Sequence, residues 1–194
     1  MRKILAILAI AALSVPVAHG AGGFGVFGTM WDADDTDDPG IGGGVKFKME
    51  MMPQIMLELR ATYLQDFWDT DTGQDEMIMV PLEVAVVVDF PVVPDVLTLF
   101  GGAGGGYYIW PEYESDVPIG ASLEPDIDPD DELGYFAVGG AELQLNEQMK
   151  IFGEAKYNVV EMDGAEIDGE EVPTFGEEAD FGGLSFSAGL LLLW

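Results

Sequence analysis

Apolar and polar residues take turns along much of this chain. "VKFKMEM" sets Val45, Phe47, Met49 and Met51 against Lys46, Lys48 and Glu50. "IMLELRATY" sets Ile55, Leu57, Leu59, Ala61 and Tyr63 against Met56, Glu58, Arg60 and Thr62. "KIFGEAKYNV" sets Ile151, Gly153, Ala155, Tyr157 and Val159 against Lys150, Phe152, Glu154, Lys156 and Asn158. A period of two is that of a strand with unlike faces. "PLEVAVVVDF" keeps Glu83 and Asp89 on one side, and its proline and β-branched valines disfavour a helix. The pattern predicts eight strands, at 23–31, 42–51, 55–64, 77–90, 97–110, 133–145, 149–160 and 182–194.

The connections alternate in length. Those after the second, fourth and sixth strands are short, "MPQ", "PVVPDV" and "NEQ", and the other four are longer. An even strand number with this alternation predicts an all-β, eight-stranded antiparallel up-and-down barrel spanning an outer membrane. Tight turns would lie on the periplasmic side and long loops outside.

Composition sharpens this. Arg2 and Lys3 precede an apolar run, and small residues follow at "AHG". Residues 1–20 therefore read as a cleavable signal peptide and 21–194 as one barrel domain, exported to a Gram-negative outer membrane. The single histidine, His19, would leave with the signal, and there is no cysteine. Five cations then face 36 carboxylates, a net charge of −31. That repels nucleic acid. Lacking histidine and any distinctive carboxylate pair, the chain reads as no enzyme.

Most of the acid falls in the long loops. The strands hold six carboxylates, Glu50, Glu58, Glu83, Asp89, Glu142 and Glu154, on the faces that carry all five cations. Nearly matched charges suit a confined interior, where each ion needs a partner. The expected interior is a plugged lumen with a charge network of Lys46, Lys48, Glu50, Glu58, Arg60, Glu83, Glu142, Glu154 and Lys156. The apolar faces would meet lipid. Trp194 would lie in the periplasmic aromatic girdle, and Trp31, Trp68, Tyr108 and Trp110 near the external one.

"LFGGAGGGYY", "LGYFAVGGAELQL", "KIFGEAKYNV" and the closing "SFSAGLLLLW" resemble the small outer-membrane β-barrel family, that of the OmpA transmembrane domain and its OmpX- and OmpW-like relatives. In that family the barrel-assembly machinery reads the last strand. The resemblance gives Leu184, Phe186, Leu190, Leu192 and Trp194 that role. Leu191 and Leu193 depart from the pattern, since they fall on the inner face, where polar residues are commoner.

Two glycine motifs carry no nucleotide chemistry. "GFGVFG" has the dinucleotide spacing without the strand before it or the helix after it, and "GGAGGG" lacks the lysine of a phosphate loop. The acidic loops offer oxygen ligands. Asp69, Asp71 and Asp75, and Asp126, Asp128 and Asp130, sit at spacings that suit weak Ca²⁺ binding, though neither stretch completes an EF-hand loop. Diffuse condensation of divalent cations is the main expectation, and no other cofactor is implied. The expected function is a structural or surface-interaction barrel, a monomer in outer-membrane lipid. The alternatives are a narrow channel for small apolar or cationic solutes and a secreted soluble ligand-binding barrel.

Overall fold

A computed structural model describes residues 21–33, 39–70, 73–109, 127–129, 132–162, 165–167, 170–172, 179–180 and 182–194. Eight strands form a closed barrel: β1 (Gly22–Ala33), β2 (Gly40–Met52), β3 (Ile55–Thr70), β4 (Gly73–Val93), β5 (Leu97–Ile109), β6 (Glu132–Asn146), β7 (Met149–Val159) and β8 (Gly183–Leu193). Each pairs antiparallel with its sequence neighbours. β8 returns to β1 in a ladder from Gly23↔Leu193 to Ala33↔Gly183, so the sheet has no open edge. Closure of this kind lets strands cross hydrocarbon with every backbone group paired.

All eight predicted strands are present. The outer ends of β1 to β4 and of β6 run further than expected, above all in β3 and β4, whose ladder continues from Leu64↔Met79 to Thr70↔Gly73, while those of β5, β7 and β8 stop one residue short. Backbone pairing is indifferent to side-chain polarity, so it outlasts the apolar pattern that marks a membrane span. Residues 65–70 and 73–76 of the expected loop around "DTDTGQD" are thus strand. The connections after β5 and β7 also contain paired segments that alternation did not predict. Ile127–Pro129, Ala165–Ile167 and Glu170–Val172 form one small sheet, and Glu161–Met162 pairs with Ala179–Asp180.

The three tight turns share one construction. A bulge precedes each, at Glu50/Met52, Pro91/Val93 and Gln144/Asn146. Carbonyls of Gln54, Val96 and Gln148 then accept the N–H groups of Asp89, Gln144 and Leu193 on the adjoining hairpin. Bulges at a barrel rim increase the local twist. The turns are thereby joined sideways into a ring at the short-turn end.

Inside, aromatic rings lie over glycines of neighbouring strands. A Cβ at Gly104 would stand 2.6 Å from the Phe136 ring, and one at Gly140 would stand 2.6 Å from that of Phe100. "GGAGGG" is therefore where a narrow barrel makes room for rings. Phe100 and Phe136 pack with Met56, Ala85, Val87 and Val138 in one apolar cluster, and Phe27, Phe152 and Leu191 form a second.

The charged lumen as candidate functional site

Strand parity decides which side chains enter the lumen. On β2 the even residues point inward, so Lys46 and Lys48 are buried. On β3 they are Glu58, Arg60 and Thr62, and on β7 Glu154, Lys156 and Asn158. On β4 the odd residues face in, and Glu83 is buried with them. The register then places Lys46 opposite Arg60, Lys48 opposite Glu58, and Arg60 opposite Glu83.

Three groups of charges follow one another along the axis. Nearest the short turns, Lys48 Nζ donates to Asp89 Oδ1 at 2.8 Å and to Glu142 Oε1 at 2.5 Å, and Lys150 Nζ donates to Glu142 Oε2 at 2.8 Å. At mid-depth, Arg60 spans two acids. Its Nη2 donates to Glu58 Oε2 at 2.6 Å and its Nη1 to Glu154 Oε1 at 2.6 Å. Lys46 Nζ donates to Glu154 Oε2 at 3.1 Å and stands 3.6 Å from the centroid of the Phe152 ring. Towards the long-loop end, Lys156 and the Tyr108 hydroxyl both donate to Glu83 Oε1. Lys46 and Glu58 are fully buried and Arg60 nearly so. Buried ions survive only when paired and hydrogen-bonded. Here five cations meet five acids.

The structure brings eight of the nine expected network residues into these pairs. Glu50 is the ninth: it is exposed at the short-turn mouth and forms no ion pair among the described residues. Asp89 and Lys150 join the network although they were not assigned to it. Their parity, shared with Glu83 and Glu154, was the available signal.

Among the described residues, two cavities adjoin the charges. At the short turns a vestibule of about 600 Å³ is lined by Lys48, Asp89, Glu142 and Lys150 and by Leu191, Leu193 and Trp194. Beyond Arg60 a cavity of about 10 Å³ lies among Thr29, Trp31, Glu83 and Lys156. Leu191, the departure noted in the sequence, is buried against Phe27 and Phe152. Trp31 and Tyr108 correct the expectation of an external girdle. Both are buried inside the barrel, their rings 5.9 Å apart, because their parity matches that of Phe27 and Phe100. The aromatics that do face outward near the long loops are Tyr63, Tyr107, Tyr135 and Tyr157. Trp110 and the Trp68 side chain lie outside the described residues.

The outer wall carries Val26, Val84, Val86, Leu99, Ile151 and, on β8, Leu184, Phe186, Leu190 and Leu192, with Trp194 beyond; all are exposed. Apolar outside and ionic inside is the inverse of a soluble barrel. The family described as "Outer membrane protein beta-barrel domain" matches residues 5–190. The chain belongs to that family.

Membership in this outer-membrane barrel family places the chain in an outer membrane of the Gram-negative type, makes the apolar wall its lipid-facing surface, and sets aside the soluble ligand carrier. No curated protein matches the chain. Among solved structures it is similar to the outer membrane protein OprG of Pseudomonas aeruginosa, at 17% identity over 91% of this chain and 98% of that one, with a TM-score of 0.68. Neisserial surface protein A is similar over 90% and 97%, at 8% identity and a TM-score of 0.62. Ail, the attachment invasion locus protein of Yersinia pestis, solved with the heparin analogue sucrose octasulfate, is similar over 91% and 100%, at 11% identity and 0.52. At these identities the likeness is one of fold. None of the three bears an enzyme's name.

Of the candidate Ca²⁺ ligands, Asp69 and Asp75 stand on the paired strands β3 and β4 and Asp128 in Ile127–Pro129, whereas Asp71, Asp126 and Asp130 lie outside the described residues.

Proposed function

We propose that this barrel is a non-conducting structural and surface-interaction protein, a monomer in outer-membrane lipid. The observation that carries the reading is the mid-depth quartet of Lys46, Glu58, Arg60 and Glu154, whose charges bind one another and are buried. Opening a path there would require parting several charge-assisted bonds at once. Most of the remaining acid falls in the long connections of the sequence, and these would present an anionic surface on which divalent cations condense. Residues 1–20 act as an export signal removed before Ala21. Leu184, Phe186, Leu190, Leu192 and Trp194 form the strand face read during assembly, by strand addition at a sheet edge.

Planar-bilayer recording of the refolded barrel tests the closed lumen. Silence is expected, and reproducible unitary steps would overturn it. Such steps would support the second reading, a narrow channel for small apolar or cationic solutes, which the apolar lining residues Leu191, Leu193 and Trp194 favour. The cation claim has its own check: a chelator should lower the temperature at which the folded barrel unfolds on a gel.

A further inference from the structure

Of the six inner-face carboxylates that the described residues place between the short turns and Glu83, five are bonded to the five inner cations. Glu50 is the remainder. Its backbone N–H donates to the Ala21 carbonyl at 2.9 Å, one step beyond the Gly22↔Met49 pair of the β1–β2 ladder. Antiparallel residues so joined lie directly opposite each other, with the nitrogen of one beside the carbonyl of the other. Ala21 continues the inward parity of Gly23, Gly25 and Phe27, and Ala21 and Glu50 line the same vestibule.

We propose that Glu50 docks the α-ammonium created at Ala21 by export processing. The inference rests on the reading of residues 1–20 as a cleaved signal. Water hydrolyses the Gly20–Ala21 peptide bond. Gly20 leaves with the new carboxyl, and Ala21 keeps the amine, which takes up a proton at neutral pH. Cleavage thus supplies a sixth cation beside Glu50, which forms no ion pair among the described residues, and fixes the start of β1 at the barrel seam. The other charges facing this point are Lys48, Asp89, Glu142 and Lys150, bound to one another, and Glu147 on the turn before β7.

The mature protein purified from outer membranes provides the test. Intact mass should place its first residue at Ala21; any other start overturns both the cleavage site and the pairing. With Ala21 first, the α-amine is followed through its titration by ¹³C NMR after reductive methylation of the folded barrel. Its pKa should lie above the ordinary range of about 7.7–8.0. In Glu50→Gln it should fall by roughly half a unit, the scale of an exposed ion pair. Glu147→Gln removes a carboxylate from the same mouth and should move it less. Equal values in wild type and Glu50→Gln, or equal movement in both variants, would overturn the pairing while leaving export intact. Heat-shifted gel migration reports folding of each variant. Should Glu50→Gln not fold, an ordinary wild-type value would overturn the pairing by itself, and an elevated value retained by Glu50→Asp would support it.

Discussion

Lumen and exterior hold the same kind of side chain under opposite rules. Glu58, Glu83 and Glu154 are buried, and each accepts from a cation. Asp95, on the turn between β4 and β5, is exposed and forms no ion pair among the described residues. Water screens the exterior acids, so their mutual repulsion costs little and sets solubility and surface potential. Inside, nothing but a partner offsets desolvation, so the acids are few and matched. The pairings of Glu83 with Lys156 and of Arg60 with Glu154 offset a burial cost that Asp95 does not carry.

The comparison predicts its largest effect at Arg60. Arg60→Met leaves Glu58 and Glu154 buried with only Lys46 near both. The expected loss is about 3–5 kcal/mol, read by denaturant unfolding in lipid vesicles. Adding Glu154→Gln should return part of it, because the double variant strands one charge fewer. No recovery would mean that Arg60 acts through packing and not through its charge.

Inverting the wall is next. Val86 lies on the outer face near the middle of β4 and is 48% exposed. Val86→Arg would put a charge into hydrocarbon and should cost about 2–4 kcal/mol. In a detergent-solubilised sample, where the head group reaches water more easily, the loss should be smaller. Equal losses in both media would weaken the assignment of this face to lipid.

A third pair of variants separates two glycines. Gly104 faces Phe136 and the Val84 carbonyl, and Gly104→Ala forces both to shift, for a loss of about 1–3 kcal/mol. Gly153 faces outward with nothing near a Cβ, so Gly153→Ala should lie within about 0.5 kcal/mol of wild type. A large effect at Gly153 would show that the outer wall is packed against something other than fluid lipid.

Much of this was legible in the chain, for a definite reason. A barrel wall has two solvents, lipid and lumen, and alternation along "VKFKMEM" or "KIFGEAKYNV" reports which residue meets which. Strand number, strand order and the inward set followed. Three things did not. Strand ends beyond Leu64 and before Met77 carry no apolar alternation, so their pairing left no trace in hydropathy. Trp31 and Tyr108 were expected among lipid headgroups because residue type was allowed to outweigh parity. The identity of each ion pair was hidden as well, since Lys46 finds its acid 108 residues away and Arg60 finds Glu154 across the barrel. Parity yields a set of inward charges; register and side-chain reach choose the partners.

The smallest expected effect is the sharpest check on the exterior. Asp95 has a left-handed backbone, with φ of 59°. Asparagine tolerates that conformation about as well as aspartate does, so Asp95→Asn removes a charge while leaving the turn intact. The stability change should be within about 0.5 kcal/mol of zero. Any residue of an effect should be stabilising and fade with added salt, because one member of a mutually repelling set is gone. The same carboxylate-to-amide change at Glu83 leaves Lys156 buried without its counter-charge and should cost several-fold more. Similar losses at the two sites would break the contrast, for they would mean that the exterior acid is as firmly partnered as the interior one.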